Sequence, residues 1–265
     1  MQFDSQNPSN HPFLSSRGLS TFIALIRHFR SLIVCILILM GLGGGISPVS
    51  AKVSRITVNG ITMDVRWSDG DSFRITSGKH RGNRARLMGY NTLESYGPVH
   101  KWGDWSPWEL YKVAKDSKQV AESQVWECVA QEERDRYKRM LVRCPDLIKA
   151  MISSGYGHLF EIGQDPHFED VKLQKKAMVS KKGMWKKGAP PVVLTSVHSI
   201  DEGSNPTTYN RFVKTTTGRA EKFHHTNQVK SCQWVCHQGA CMLYVPFKNR
   251  YGDRRPDCLK WNPTP

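Results

Sequence analysis

Acidic residues are scarce in this chain. Its 265 residues carry 23 Asp and Glu against 38 Lys and Arg, a formal net charge of +15 with a pI near 9.6. That imbalance argues against a cationic partner and favours a polyanion, either nucleic acid or an anionic membrane surface. Long apolar runs are lacking too: the run from Leu32 to Met40 is too short for a comfortable membrane span. No internal repeat is visible, which excludes a solenoid or array. Paired C-x2-C knuckles are also absent, which counts against an ordinary structural zinc site.

The amino-terminal stretch has Arg27, His28 and Arg30, then the short apolar run, then Gly-rich sequence closing on Val49-Ser50-Ala51. This layout predicts a secretory signal peptide over residues 1–51, with an uncleaved amino-terminal anchor as the alternative. Residues 1–51 hold three basic residues and one acidic one, so cleavage leaves the chain near +13 (15 − 2). The basicity therefore belongs to the exported protein, periplasmic or extracellular. Beyond Cys35, six cysteines remain: Cys128, Cys144, Cys232, Cys236, Cys241 and Cys258. An even number in an oxidising compartment reads as a disulfide framework. Cys128 and Cys144 are equidistant from residue 136 and suit a pair across a hairpin. The carboxy-terminal four, with His237 alongside, leave zinc as the less favoured alternative.

Two β-rich runs flank Asn59-Gly60, a strong hairpin signal. "DSFRITSGKHRGNRARLMGY" repeats the pattern, giving three or four antiparallel strands from about residue 53 to 90. Ser106-Pro107-Trp108-Glu109 is a capping box with proline at the first helical position, predicting a helix over about 107–123. "QVWECVA" and "RMLVRC" predict two facing strands. A second helix is expected from Pro145 to just before Gly155, and a third from Phe168 to a stop at Gly183. Residues 189–231, rich in Ser, Thr, Asn and Gly, read as a linker. Residues 232–265 read as a small basic cysteine-bearing tail. This element order suits a β-rich α+β Greek-key barrel with packed helices over residues 52–188.

Asp69-Gly70-Asp71 on its own is the composition of a tight turn. Arg86 and Glu94 follow at fixed distances, and that combination suits phosphodiester hydrolysis. Such chemistry needs a group to neutralise phosphate, a group to activate water and a stabiliser for the anionic transition state. Asp71, Asn91 and the Thr92 carbonyl offer the oxygen ligands that a hard cation such as Ca²⁺ takes. Glu94 is a candidate base, and Arg86 a planar fork matched to phosphate oxygens.

D-G-D-S followed by R-L-M-G-Y-N-T-L-E resembles the staphylococcal-nuclease (thermonuclease) family, whose motifs run D-G-D-T and R-L-x-x-x-D-T-P-E. "DRYKRMLVR" at 135–143 is similar to that family's D-x-Y-G-R-x-L segment, and "EDVKLQKKAMVSKKGMW" to its closing basic helix. The resemblance covers about residues 53–187. It implies a five-stranded OB-type barrel with three helices and Ca²⁺-dependent cleavage of DNA and RNA. Asp71 then matches a calcium carboxylate, Thr92 a carbonyl ligand and Glu94 the general base. Arg86 and Arg139 match the two transition-state arginines. The expected protein is a monomeric endonuclease acting on single-stranded or unpaired regions, with no stable membrane span after cleavage of the signal.

Three departures bear on activity. Asn91 stands where the family has a second calcium aspartate, which removes a charge and implies one weakly held Ca²⁺, in the range of about 10⁻⁴–10⁻³ M. Leu93 replaces a proline, implying a freer loop around Glu94. Lys138 replaces the glycine before the second arginine. These changes motivate the alternative of a nuclease-like protein that binds nucleic acid with little or no cleavage. Trp102, Trp105 and Trp108 suit either base stacking or packing.

Overall fold

The computed structural model describes residues 53–260; the expected signal peptide or anchor lies outside the described residues. The chain opens with β1 (Ser54–Val58) and β2 (Ile61–Trp67), joined by Asn59 and Gly60 at φ 52° and 78°. Positive φ at both central residues gives the turn the right-handed twist that a two-residue hairpin needs. β3 (Ser72–Ile75) and β4 (Arg84–Leu87) continue the meander. β5 (Gly89–Asn91) and β6 (His100–Trp102) are short and lead into α1 (Pro107–Ala121). The expected capping box is formed: the Ser106 side chain accepts from the Glu109 N–H, and Glu109 accepts from the Ser106 N–H at 3.0 Å. β7 (Trp126–Arg134), β8 (Met140–Arg143), α2 (Pro145–Ser154), β9 (His158–Phe160) and α3 (Phe168–Val179) follow.

β1-β2-β3-β4-β8-β7 close into a barrel. This corrects the expected count from five strands to six. Both arms of the first hairpin belong to the barrel, because β1 pairs with β2 on one side and lies parallel to β7 on the other, Ile56 opposite Trp126. Alternation fills the interior: Met63, Val65 and Trp67 of β2 point inward with Ile56, Phe73, Ile75, Leu87 and Val142. Fully burying such side chains stabilises the barrel by roughly 1.5–3 kcal/mol each.

Residues 189–231 are not a linker. They contain β10 (Val192–Ser196), β11 (Thr208–Lys214) and β12 (Ala220–His225), an antiparallel three-stranded sheet. Its buried residues Val193, Leu194, Phe212 and Val213 share a second core with Leu110, Ala177 and Trp185. Val193 and Val213 lie on the opposite face from Leu194 and Phe212 and are buried too, so that face reaches the cleft only around Tyr209, Arg211 and Lys222. The tail is not a separate unit either: β13 (Trp234–His237) pairs with β14 (Ala240–Leu243), and β14 pairs with β6.

All six cysteines of residues 53–260 form disulfides, as favoured from the sequence: Cys128–Cys144, Cys232–Cys258 and Cys236–Cys241. They point to a non-reducing compartment. Among the described residues, no helix is long and apolar enough to cross a membrane. α3 ends at Val179, short of the expected stop at Gly183. Gly183 instead opens a short 3₁₀ turn pressed on Gly155, where a Cβ would lie 2.3 Å from the Gly155 carbonyl oxygen.

Candidate active site

The turn at 69–71 and the loop at 91–94 fold against each other. A Cβ on Gly70 would fall 2.4 Å from Ser117 Oγ and 2.6 Å from Thr92 Cγ2, so glycine lets the turn press onto α1 and the loop at once. Tyr90 donates from its hydroxyl to the Gly70 carbonyl at 2.6 Å. Asp69 closes the turn locally, its Oδ1 accepting from the Asp71 N–H at 3.2 Å and from Ser72 Oγ at 2.7 Å.

Asp71 is buried, and both of its oxygens are engaged. Oδ2 accepts from the Thr92 N–H at 2.8 Å and from Thr92 Oγ1 at 3.0 Å. Oδ1 accepts from Arg86 Nη1, while Arg86 Nη2 donates to Asn91 Oδ1. Asn91 Nδ2 donates to the Thr92 carbonyl at 3.0 Å, which orients its amide oxygen toward Arg86. The β3–β4 register, with Ser72 opposite Arg86, brings the arginine to the turn. Burial works against the guanidinium charge, but Asp71, Asp69 and Glu94 outweigh it and raise the arginine pKa further. The three expected ligand residues and Arg86 thus form one cluster, with two side-chain oxygens converging on a single positive charge.

Glu94 lies beside this cluster. Its backbone N–H donates to His100 Nε2 at 3.2 Å. Burial and the neighbouring His158 push the His100 pKa down to about 3, so the ring is neutral and free to accept. Leu93 is buried in the second core with Trp102 and Leu110. Packing of the leucine side chain anchors the loop next to Glu94 in the second core. Burial, then the charge of Asp71, push the Glu94 carboxyl up to about 7 against the pull of Arg86, Arg250 and Arg139. Burial and Asp71 likewise raise Asp69 to about 7.

Arg139 follows a tight turn in the β7–β8 hairpin. Its Nε donates to Asp135 Oδ2 at 2.7 Å and its N–H to Asp135 Oδ1 at 2.8 Å. Lys138, in the glycine position of the resembling motif, holds φ at +62°. The turn keeps the left-handed geometry without the residue best suited to it. Arg86, Asn91, Glu94 and Arg139 line one cleft of about 1680 Å³ in which basic side chains outnumber acidic ones. Asp71 and Thr92 stand behind that surface.

Arg250 escaped notice in the sequence. It lines the same cleft, its Nε donating to the Val245 carbonyl at 2.9 Å. Its methylenes cover Gly97, where a Cβ would meet Arg250 Cδ at 2.7 Å. Only the basic character of the tail hinted at it, because β6–β14 pairing, not sequence spacing, brings the tail to the loop. Trp102 and Trp105 are core residues; Trp108, the most exposed of the three, stacks on Tyr111 with ring centroids 5.5 Å apart. No family model matches the chain, and no curated protein matches it.

Proposed function

We propose that this protein is an exported phosphodiesterase that cleaves DNA or RNA with the help of a hard cation, on an OB-type barrel extended by one strand. The observation that carries this reading is the convergence of Asp71 and Asn91 on one positive charge, next to a carboxyl raised to about 7 and inside a basic cleft.

The donor chemistry fits Ca²⁺ in kind, since every candidate ligand is oxygen. Asp71, Asn91 and the Thr92 carbonyl would hold the ion, and Arg86 competes with it for the two side-chain oxygens. A bound Ca²⁺ would neutralise phosphate charge and so ease approach of a nucleophile. Glu94 takes one proton from water as the water oxygen attacks phosphorus. The leaving oxygen departs with the bonding pair on the opposite side. A base with a pKa near the working pH combines adequate ionisation with adequate proton affinity. Arg86 and Arg139 supply donors for the equatorial oxygens as negative charge gathers there.

Cleavage of single-stranded DNA, with Ca²⁺ or with excess EGTA, tests this. Activity is expected only with the cation, and Glu94→Gln is expected to lose about 10²–10⁴-fold. Undiminished cleavage in EGTA or by Glu94→Gln contradicts the mechanism.

One observation favours a second reading, binding without cleavage. Arg86 already spans Asp71 and Asn91, and the neutral Asn91 offers a cation less than an aspartate would. Under that reading wild-type protein shows only salt-sensitive binding.

A further inference from the structure

We propose that the outer face of the β10–β12 sheet is a binding subsite for single-stranded nucleic acid, extending the strand path away from the Arg86–Glu94 cluster. The proposal rests on the reading that nucleic acid is the substrate, and it adds a site on residues outside the barrel.

Strand alternation separates two faces on this sheet. Asn210 and Phe212 turn into the core, whereas Tyr209 and Arg211 line the cleft with Lys222, which pairs with Arg211 in register. Lys222 Nζ sits 4.5 Å from the Tyr209 ring centroid and the Arg211 guanidinium carbon 5.7 Å from it. Arg136, from the barrel hairpin that positions Arg139, reaches the Tyr209 hydroxyl at 3.5 Å and ties the sheet to the barrel edge. Burial raises the Tyr209 hydroxyl pKa, yet Arg136, Arg211 and Lys222 more than reverse this, so the net shift is downward. The potential here is positive enough to favour an anion. Farther along the same cleft, Phe247 is 70% exposed, with the Arg250 guanidinium carbon 5.8 Å from its ring centroid.

Of Glu161, Asp201 and Glu202 along this wall, only Glu161 is ion-paired with an arginine; Glu202 and Asp201 keep their charge and are hydrogen-bonded within the wall. Glu161 pairs with Arg143, Glu202 with His198 at 3.0 Å, and Asp201 accepts from Ser199. Rings flanked by cations, repeated along a groove, match a strand whose phosphates need positive charge and whose bases need a π-face. A duplex is disfavoured because its bases are already stacked on each other and cannot reach the rings.

The test is fluorescence anisotropy with a labelled single-stranded oligothymidylate and a hairpin duplex, on full-length Glu94→Gln protein so that cleavage does not intervene. Adding Tyr209→Ala is expected to weaken single-strand binding about tenfold with a smaller effect on duplex. Tyr209→Phe keeps the ring and is expected to keep the affinity. Lys222→Gln is expected to lower the slope of log K against log salt by about 0.7. Unchanged affinity in Tyr209→Ala and Lys222→Gln, equal losses for duplex, or no oligonucleotide binding by the parent overturns the proposal. The assay reads binding alone, so a chain that binds here yet never cleaves supports this subsite and counts against the phosphodiesterase reading.

Discussion

Glu94 owes its basicity to neighbours that pull in opposite directions. Burial and Asp71 raise its carboxyl to about 7, while Arg86, Arg250 and Arg139 restrain the rise. A base must be ionised to accept a proton, so cleavage is expected to rise with pH along a limb above the ordinary glutamate range and then level off. Arg250→Ala removes a cation that favours the ionised form. At fixed Ca²⁺ that limb therefore moves to higher pH, and activity at pH 7 falls. A pH–rate profile of the two proteins decides this; a limb at the ordinary glutamate value, or one that Arg250→Ala leaves in place, refutes the assignment. At this scale the sequence was informative where residues are close along the chain. Asp71, Arg86, Asn91 and Glu94 sit on consecutive strands and turns, so their spacing constrains where they meet. Arg250 is more than 150 residues from Glu94 and meets it only through tertiary pairing, which no local spacing encodes.

Among the elements, those with strong local signals formed where expected. Asn59-Gly60 made its hairpin, Ser106-Pro107-Trp108-Glu109 capped its helix, and Gly155 ended α2 at φ +71°. The three strands between 192 and 225 were not legible. β10 and β11 bury only some of their residues and β12 buries none fully, and runs such as "TYNRFVK" carry no clean alternation of polar and apolar residues. The count of five came from the resemblance, whereas three or four strands over 53–90 plus two facing strands already allowed six; what no local signal carried was the closure of β1 on β7, a pairing between distant segments. The β7–β8 turn gives an element-level prediction. Lys138 holds a left-handed φ of +62° that costs an L-residue about 1–2 kcal/mol, partly offset by the extra backbone entropy that glycine loses on folding. Lys138→Gly is expected to stabilise the protein by roughly 0.5–1 kcal/mol. Urea titration measures it, and a destabilised variant means that the lysine side chain contributes more to the turn than the backbone costs.

Taken as a whole molecule, residues 53–260 place a barrel, a second core and a stapled tail around one basic cleft. The tail residues that reach the cleft, Tyr244, Pro246, Phe247, Lys248, Arg250 and Tyr251, lie inside the loop closed by Cys232–Cys258. Replacing both cysteines by serine is expected to loosen Arg250 and lower kcat/KM on the order of tenfold to a hundredfold, the sensitivity of catalysis to small misplacements. The barrel has its own core, so far-UV circular dichroism stays near wild type. Full activity in the double serine variant removes the tail from the site. The surplus of positive charge, visible from composition alone, belongs to this scale too, but composition could not say that the cleft would gather it.

The central claim is a cation cradle built from Asp71, Asn91 and Thr92 beside Glu94, and a calcium titration of single-strand cleavage by wild type and Asn91→Asp tests it most directly. A second carboxylate adds charge where the ion would sit, so Asn91→Asp is expected to reach half-maximal activity at a clearly lower Ca²⁺ concentration. Identical titration curves for the two proteins, or cleavage that ignores Ca²⁺ altogether, would contradict the account.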